Sequence, residues 1–93
     1  MAFGSWIREE REKAGVSLKD LSRRINISTP YWSRIERGLE RAPKDTLIIA
    51  ACKELGLSTD RAFLEAQRLP PDMQENLEMA ISVYREFRTR SAA

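Results

Sequence analysis

A chain of 93 residues and 10.7 kDa, with 16 Lys/Arg against 14 Asp/Glu, has room for one modest core and one appended element. No histidine and one cysteine (Cys52) exclude histidine triads, histidine metal sites, zinc fingers and internal disulfides, so neither an enzyme nor a cofactor is expected. No stretch approaches the roughly 18 apolar residues of a membrane span and no leader-like segment opens the chain, which predicts a cytoplasmic protein without a membrane partner.

The charge is unevenly placed. Residues 1–44 carry ten Lys/Arg against six acids, and residues 45–93 carry six against eight. A basic half turned toward a polyanion is one reading. Ordinary surface scatter is the other.

Hydrophobic spacing and punctuation predict short helices throughout, an all-α chain with no strand-like alternation. The first covers about residues 3–14, with Phe3, Ile7 and Ala14 on one stripe and Gly15 as its stop. Ser17 caps a second helix through Ile25, Asp20 completing a box-like start. Asn26 then tolerates a left-handed turn. Ser28 caps a third helix to Arg37, with Thr29 and Pro30 in its first turn, where a missing N–H costs nothing. Gly38 ends it. Pro43 opens a fourth helix, Asp45 to Leu55, with Leu47, Ile48, Ala51 and Leu55 on its apolar side and Gly56 as its stop. Ser58-Thr59-Asp60 starts a short fifth helix carrying Ala62, Phe63, Leu64 and Leu69, which Pro70-Pro71 breaks. Asp72 begins a last helix to about Arg88. The expected division is a body over 1–69, an additional C-terminal helix within 70–88 and a flexible tail over 89–93.

Two helices meeting at a turn of about three residues between Leu18 and Ile35, with Leu21, Ile25, Ile27, Trp32 and Ile35 apolar, cross steeply and share a small core. The second of them then exposes Thr29, Pro30, Tyr31, Ser33, Arg34 and Arg37 along one face. Such a helix fits the DNA major groove.

Residues 3–69 resemble the phage-repressor-like helix-turn-helix family, the five-helix fold of lambda-type repressors and Cro. The matching words are V-S-L-K-D-L-S-R-R-I-N-I-S (16–28), S-R-I-E-R-G (33–38), A-P-K-D-T-L (42–47) and L-G-L-S (55–58), in the family's order. The resemblance implies a five-helix DNA-binding domain in a bacterial or phage transcriptional regulator, found at the nucleoid when bound. It implies base contacts from Thr29, Pro30, Ser33 and Arg34, with Arg34 suited to bidentate pairing with guanine O6 and N7. Phosphate contacts are implied for Ser28, Tyr31, Arg37, Arg41 and Lys44. Arg23 and Arg24 are adjacent, so at most one of them turns to the DNA backbone, and Arg23 is the candidate; a solvated helix face is the plainer reading.

The same resemblance makes Arg11 and Glu36 an ion pair between the first and third helices and turns Trp32 inward. Trp6 is expected to keep a partly exposed edge, packed against the C-terminal helix. Departures are visible too. Leu18 stands where the family often has a phosphate-binding glutamine, Ser22 where alanine is usual, Asn26 where glycine is usual and Glu10 where leucine is frequent. Cys52 reads as a small core residue.

On the last helix Met73, Leu77, Ala80, Tyr84 and Phe87 recur at coiled-coil-like spacing, and Ile81 and Val83 widen the stripe. The expectation is a two-fold homodimer, one side of this helix on its own domain and the other against the second copy, which implies a repressor on an inverted-repeat operator in double-stranded DNA. The alternatives are the antitoxin of a toxin–antitoxin operon or a regulator with an antirepressor partner, a protein-interaction module without DNA binding, and a nuclease.

Overall fold

A computed structural model describes residues 3–92, which form seven helices and no strand. They are α1 (Phe3–Lys13), α2 (Leu18–Arg24), α3 (Thr29–Glu36), α4 (Asp45–Leu55), α5 (Thr59–Glu65), α6 (Pro71–Gln74) and α7 (Leu77–Ala92). None of them is long and apolar enough to cross a membrane.

Serine caps start three of these helices. Ser17 Oγ accepts from the Asp20 N–H at 3.0 Å, Ser28 Oγ from Tyr31 at 3.2 Å and Ser58 Oγ from Arg61 at 3.3 Å. Each satisfies an amide that a helix start leaves without a partner. Asn26 takes the left-handed conformation, φ 58°, and turns the chain between α2 and α3.

Helices α1–α5 close around one core in which Ile7, Leu21, Trp32, Ile48, Ala51 and Phe63 lose all contact with solvent. Trp32 meets Phe3 edge to face at 6.4 Å, and its indole N–H donates to Glu36 Oε2 at 2.7 Å. Glu36 also takes two bonds from Arg11, at 2.8 and 2.9 Å, while Arg11 Nη1 donates to the Val16 carbonyl at 2.9 Å. The buried pair is thus bonded on both sides, the condition under which a buried charge is tolerated, and the bonds that Arg11 donates to Glu36 push its guanidinium still higher in pKa. Ser22 is buried without penalty because its hydroxyl donates to the Leu18 carbonyl at 2.8 Å. Gly4 lets α1 touch the end of α3: a Cβ there would lie 2.1 Å from the Ile35 carbonyl oxygen.

The structure departs from the sequence expectation in several places. Ala14 falls in the turn after α1 and is exposed, and Arg11 takes its place on the buried stripe. Trp6 is only 8% exposed; it lies against Phe3, with Arg61 of α5 6.0 Å from its ring, rather than against the C-terminal helix. Helix α5 stops at Glu65 because Gln67 adopts a left-handed φ of 58°, so Leu69 lies outside it. The expected helix from Asp72 is broken at Glu75–Asn76, where Asn76 Oδ1 accepts from the Met79 N–H at 3.1 Å and starts α7 afresh. Helix α7 then continues past Arg88 to Ala92, through most of the expected tail; Ala93 lies outside the described residues.

Helix α7 does not lie on the body. It touches the single turn of α6 before it, the molecule extends to 47 × 25 × 24 Å, and between Leu77 and Arg90 only Ala80 is even half-buried. A one-turn α6 and the break after it carry the apolar stripe away from the core instead of returning one side to it.

Candidate nucleic-acid interface

The α2–turn–α3 unit is fixed from behind and open in front. Leu21, Ile25, Trp32 and Ile35 anchor it in the core, and Ile27 N–H closes the turn on the Ser22 carbonyl at 3.0 Å. On the outer side Pro30 is exposed, while Thr29, Tyr31, Ser33 and Arg34 are half-buried, their outer edges reaching solvent. Ser28 is exposed, its hydroxyl oxygen committed to the Tyr31 amide. Arg23 on α2 is exposed as well.

Arg34 lies over the Tyr31 ring, 6.0 Å from its centroid, within reach of cation–π attraction. Its Nε stands 3.6 Å from Glu40 Oε1. Arg37 leans back along α3, its Nε donating to the Ser33 carbonyl at 3.4 Å. Beyond α3 the chain turns at Gly38, φ 76°, and runs to α4 with Arg41 and Lys44 exposed and Pro43 buried.

That connecting segment is anchored by a residue sequence reasoning passed over. Arg68 donates to the carbonyls of Ala42 and Pro43 and pairs with Asp45 at 3.3 Å. Gln74 of α6 bonds the second Asp45 oxygen at 3.3 Å. Arg41 and Lys44 therefore flank a bend held by side chain to backbone bonds from outside α3 and α4. Glu40 was passed over too. Neither residue belongs to a periodic pattern, and the turn at Gly38 was the only available signal that position 40 returns to α3.

The arrangement offers a ridge of cations and short polar groups rather than a chemical centre. No group of three or more metal-binding side chains occurs among the described residues. Cys52 is buried, and desolvation pushes its thiol up from 9.0 to about 11, far from the thiolate a nucleophile needs.

The residues expected to pair two copies lie elsewhere. Met73, Leu77, Ile81, Tyr84 and Phe87 are 40–68% exposed on the α6–α7 hairpin, with Ala80 half-buried among them. Met73, Ala80, Ile81 and Tyr84 line, with Leu69, a shallow groove of about 360 Å³.

Residues 2–72 match the model of the helix-turn-helix domain family. The chain is 38% identical over 78 residues to the HTH-type transcriptional regulator Rv0474 of Mycobacterium tuberculosis, covering 84% of this chain and 55% of that protein. It thus spans about half the length of the curated relative it matches. Among solved structures it is similar to the biofilm regulator SinR in complex with DNA, with TM-score 0.61 and 26% identity over 66% of this chain and 97% of that one. It is also similar to the clp gene regulator ClgR of Corynebacterium glutamicum, with TM-score 0.63 and 27% identity over 96% of this chain and 84% of that one.

Proposed function

The chain belongs to the helix-turn-helix domain family of DNA-binding transcriptional regulators, and from that premise we propose that it is a homodimeric repressor reading an inverted-repeat operator with α3 in the major groove. The observation that carries the proposal is the exposed edge of α3 beside the anchored bend that bears Arg41 and Lys44. Thr29, Pro30, Ser33 and Arg34 meet base edges, Arg34 pairing with a guanine. Ser28, Tyr31, Arg37, Arg41, Lys44 and, from α2, Arg23 meet phosphates on either side, fixing register without reading sequence. The likeness to SinR, a structure in complex with DNA, supports DNA as the partner.

Pairing of two copies rests on α6 and α7. The single turn of α6 and the sixteen-residue α7 leave Met73, Leu77, Ile81, Tyr84 and Phe87 in water, an apolar strip that a monomer does not cover. Burying it against the same hairpin of a second copy sets two α3 helices about 34 Å apart, one turn of DNA, so the operator reads as an inverted repeat. Occupancy of such a site excludes other proteins from it.

Selection of bound duplexes from a random DNA pool tests the proposal. The expected product is a palindromic motif with half-sites about 10 base pairs apart. Recovery of an unrepeated half-site contradicts the dimer, and recovery of no motif contradicts sequence reading.

A further inference from the structure

The C-terminal turn of α3 brings an acid against the arginine assigned to base reading. The Arg34 carbonyl accepts from the Leu39 N–H at 2.8 Å and from the Glu40 N–H at 3.3 Å, a fold-back that the left-handed Gly38 permits. Glu40 is thereby returned to Arg34, Oε1 to Nε at 3.6 Å, while the guanidinium lies over Tyr31.

Two ordinary roles fit this pair poorly. Both side chains are 44% exposed, and ion pairs so placed contribute little to stability. The tie between α1 and α3 is already made by Arg11 and Glu36 in the core. As part of a general phosphate-binding surface Glu40 is a cost, because a carboxylate there repels the polyanion. Its effect on Arg34 is different. The contact is made at Nε, so it and the Tyr31 ring hold the guanidinium from one edge and one face. The two Nη nitrogens, which can meet guanine O6 and N7 side by side, lie on the opposite edge.

We propose that Glu40 is a specificity-determining positioning residue, holding Arg34 against Tyr31 for one guanine and opposing the pairing of that arginine with phosphate. The inference rests on the assignment of Arg34 to base reading. Specificity here comes partly from a repulsive element that lowers affinity for every other sequence.

The test uses the full chain and three duplexes: the operator recovered by selection, the same duplex with the guanine opposite Arg34 replaced, and a random sequence. Glu40→Gln keeps the side chain's size and removes its charge. Discrimination between the first two duplexes should fall about three- to five-fold, the scale of an exposed ion pair. Binding to the random duplex should tighten by a similar factor at unchanged melting temperature. In an Arg34→Ala background the same change should leave discrimination where Arg34→Ala alone sets it. Unaltered discrimination in Glu40→Gln, with Arg34→Ala still abolishing it, overturns the proposal and leaves base reading intact. A lowered melting temperature assigns Glu40 a structural role and also overturns it. Full discrimination in Arg34→Ala removes the base-reading assignment itself, and this inference with it.

Discussion

The five-helix body and the α6–α7 hairpin use the same kinds of apolar side chain and dispose of them in opposite ways. In the body Trp32 and Phe63 reach zero exposure, while on α7 Tyr84 and Phe87 remain 62% and 68% exposed. The difference lies in geometry rather than composition. Five helices, three of them capped by serine, enclose a volume in which their largest apolar side chains meet one another. A single turn followed by one long helix encloses none. The body buries its large side chains within the chain, whereas the stripe on α6 and α7 stays in water unless a surface outside the chain covers it, as the proposed dimer would.

The largest expected effect sets the two regions against each other directly. Trp32→Ala should cost about 3–5 kcal/mol through the cavity it opens, and it also strips Glu36 of a bond. Phe87→Ala should cost under about 0.5 kcal/mol in the same urea titration at low protein concentration. Similar costs for the two would mean that α7 is packed after all.

A second expectation follows from burial of Cys52. Its thiol is held protonated to about 11 in the folded chain against 9.0 when exposed. The folded state therefore keeps the proton that the unfolded state gives up. The stability this confers is whole below pH 9 and declines as pH rises toward 11, by about 2–3 kcal/mol in all. Comparing denaturation of the wild type with Cys52→Ala across that range isolates the thiol from lysine and tyrosine. Parallel curves would show the thiol in contact with water.

Smaller effects probe the DNA-facing side. Arg34→Ala should cost about 1–3 kcal/mol on the selected operator and relax one base pair in each half-site. Arg41→Ala and Lys44→Ala should weaken binding to all sequences alike, each lowering the salt slope by about one. An equal loss on operator and random DNA for Arg34→Ala returns Arg34 to the phosphate group. Ser28→Ala should cost about 1 kcal/mol by freeing the Tyr31 amide. An unchanged melting temperature there would mean that water replaces the cap at no cost.

Much of the body was legible in the sequence because its signals are local. Ser17, Ser28 and Ser58 announce helix starts within three residues, and Asn26 and Gly56 take the left-handed turns their positions suggest. The Arg11–Glu36 pair, 25 residues apart, was legible only through family resemblance. The exposed edge of α3 followed from helical periodicity once Trp32 was turned inward. What escaped depends on contacts with no local trace. Arg68 reaches back 26 residues to the Ala42 carbonyl, and Gln74 reaches 29 to Asp45. Gln67 in a left-handed conformation and Asn76 as a helix start were overlooked because a leucine and two prolines lie between them, and those prolines drew the boundary to themselves. The α7 stripe was visible as a pattern, yet periodicity identifies an apolar face without saying what covers it, and the expected packing on its own domain was misplaced for that reason.

That covering surface is the centre of the account, and sedimentation equilibrium of the full chain tests it most directly. At micromolar concentration the wild type should sediment at twice its 10.7 kDa, and Phe87→Glu should sediment at 10.7 kDa with its helical signal and melting of the body retained. A wild-type chain that stays at 10.7 kDa across the micromolar range would contradict pairing through α7 and, with it, the inverted-repeat operator.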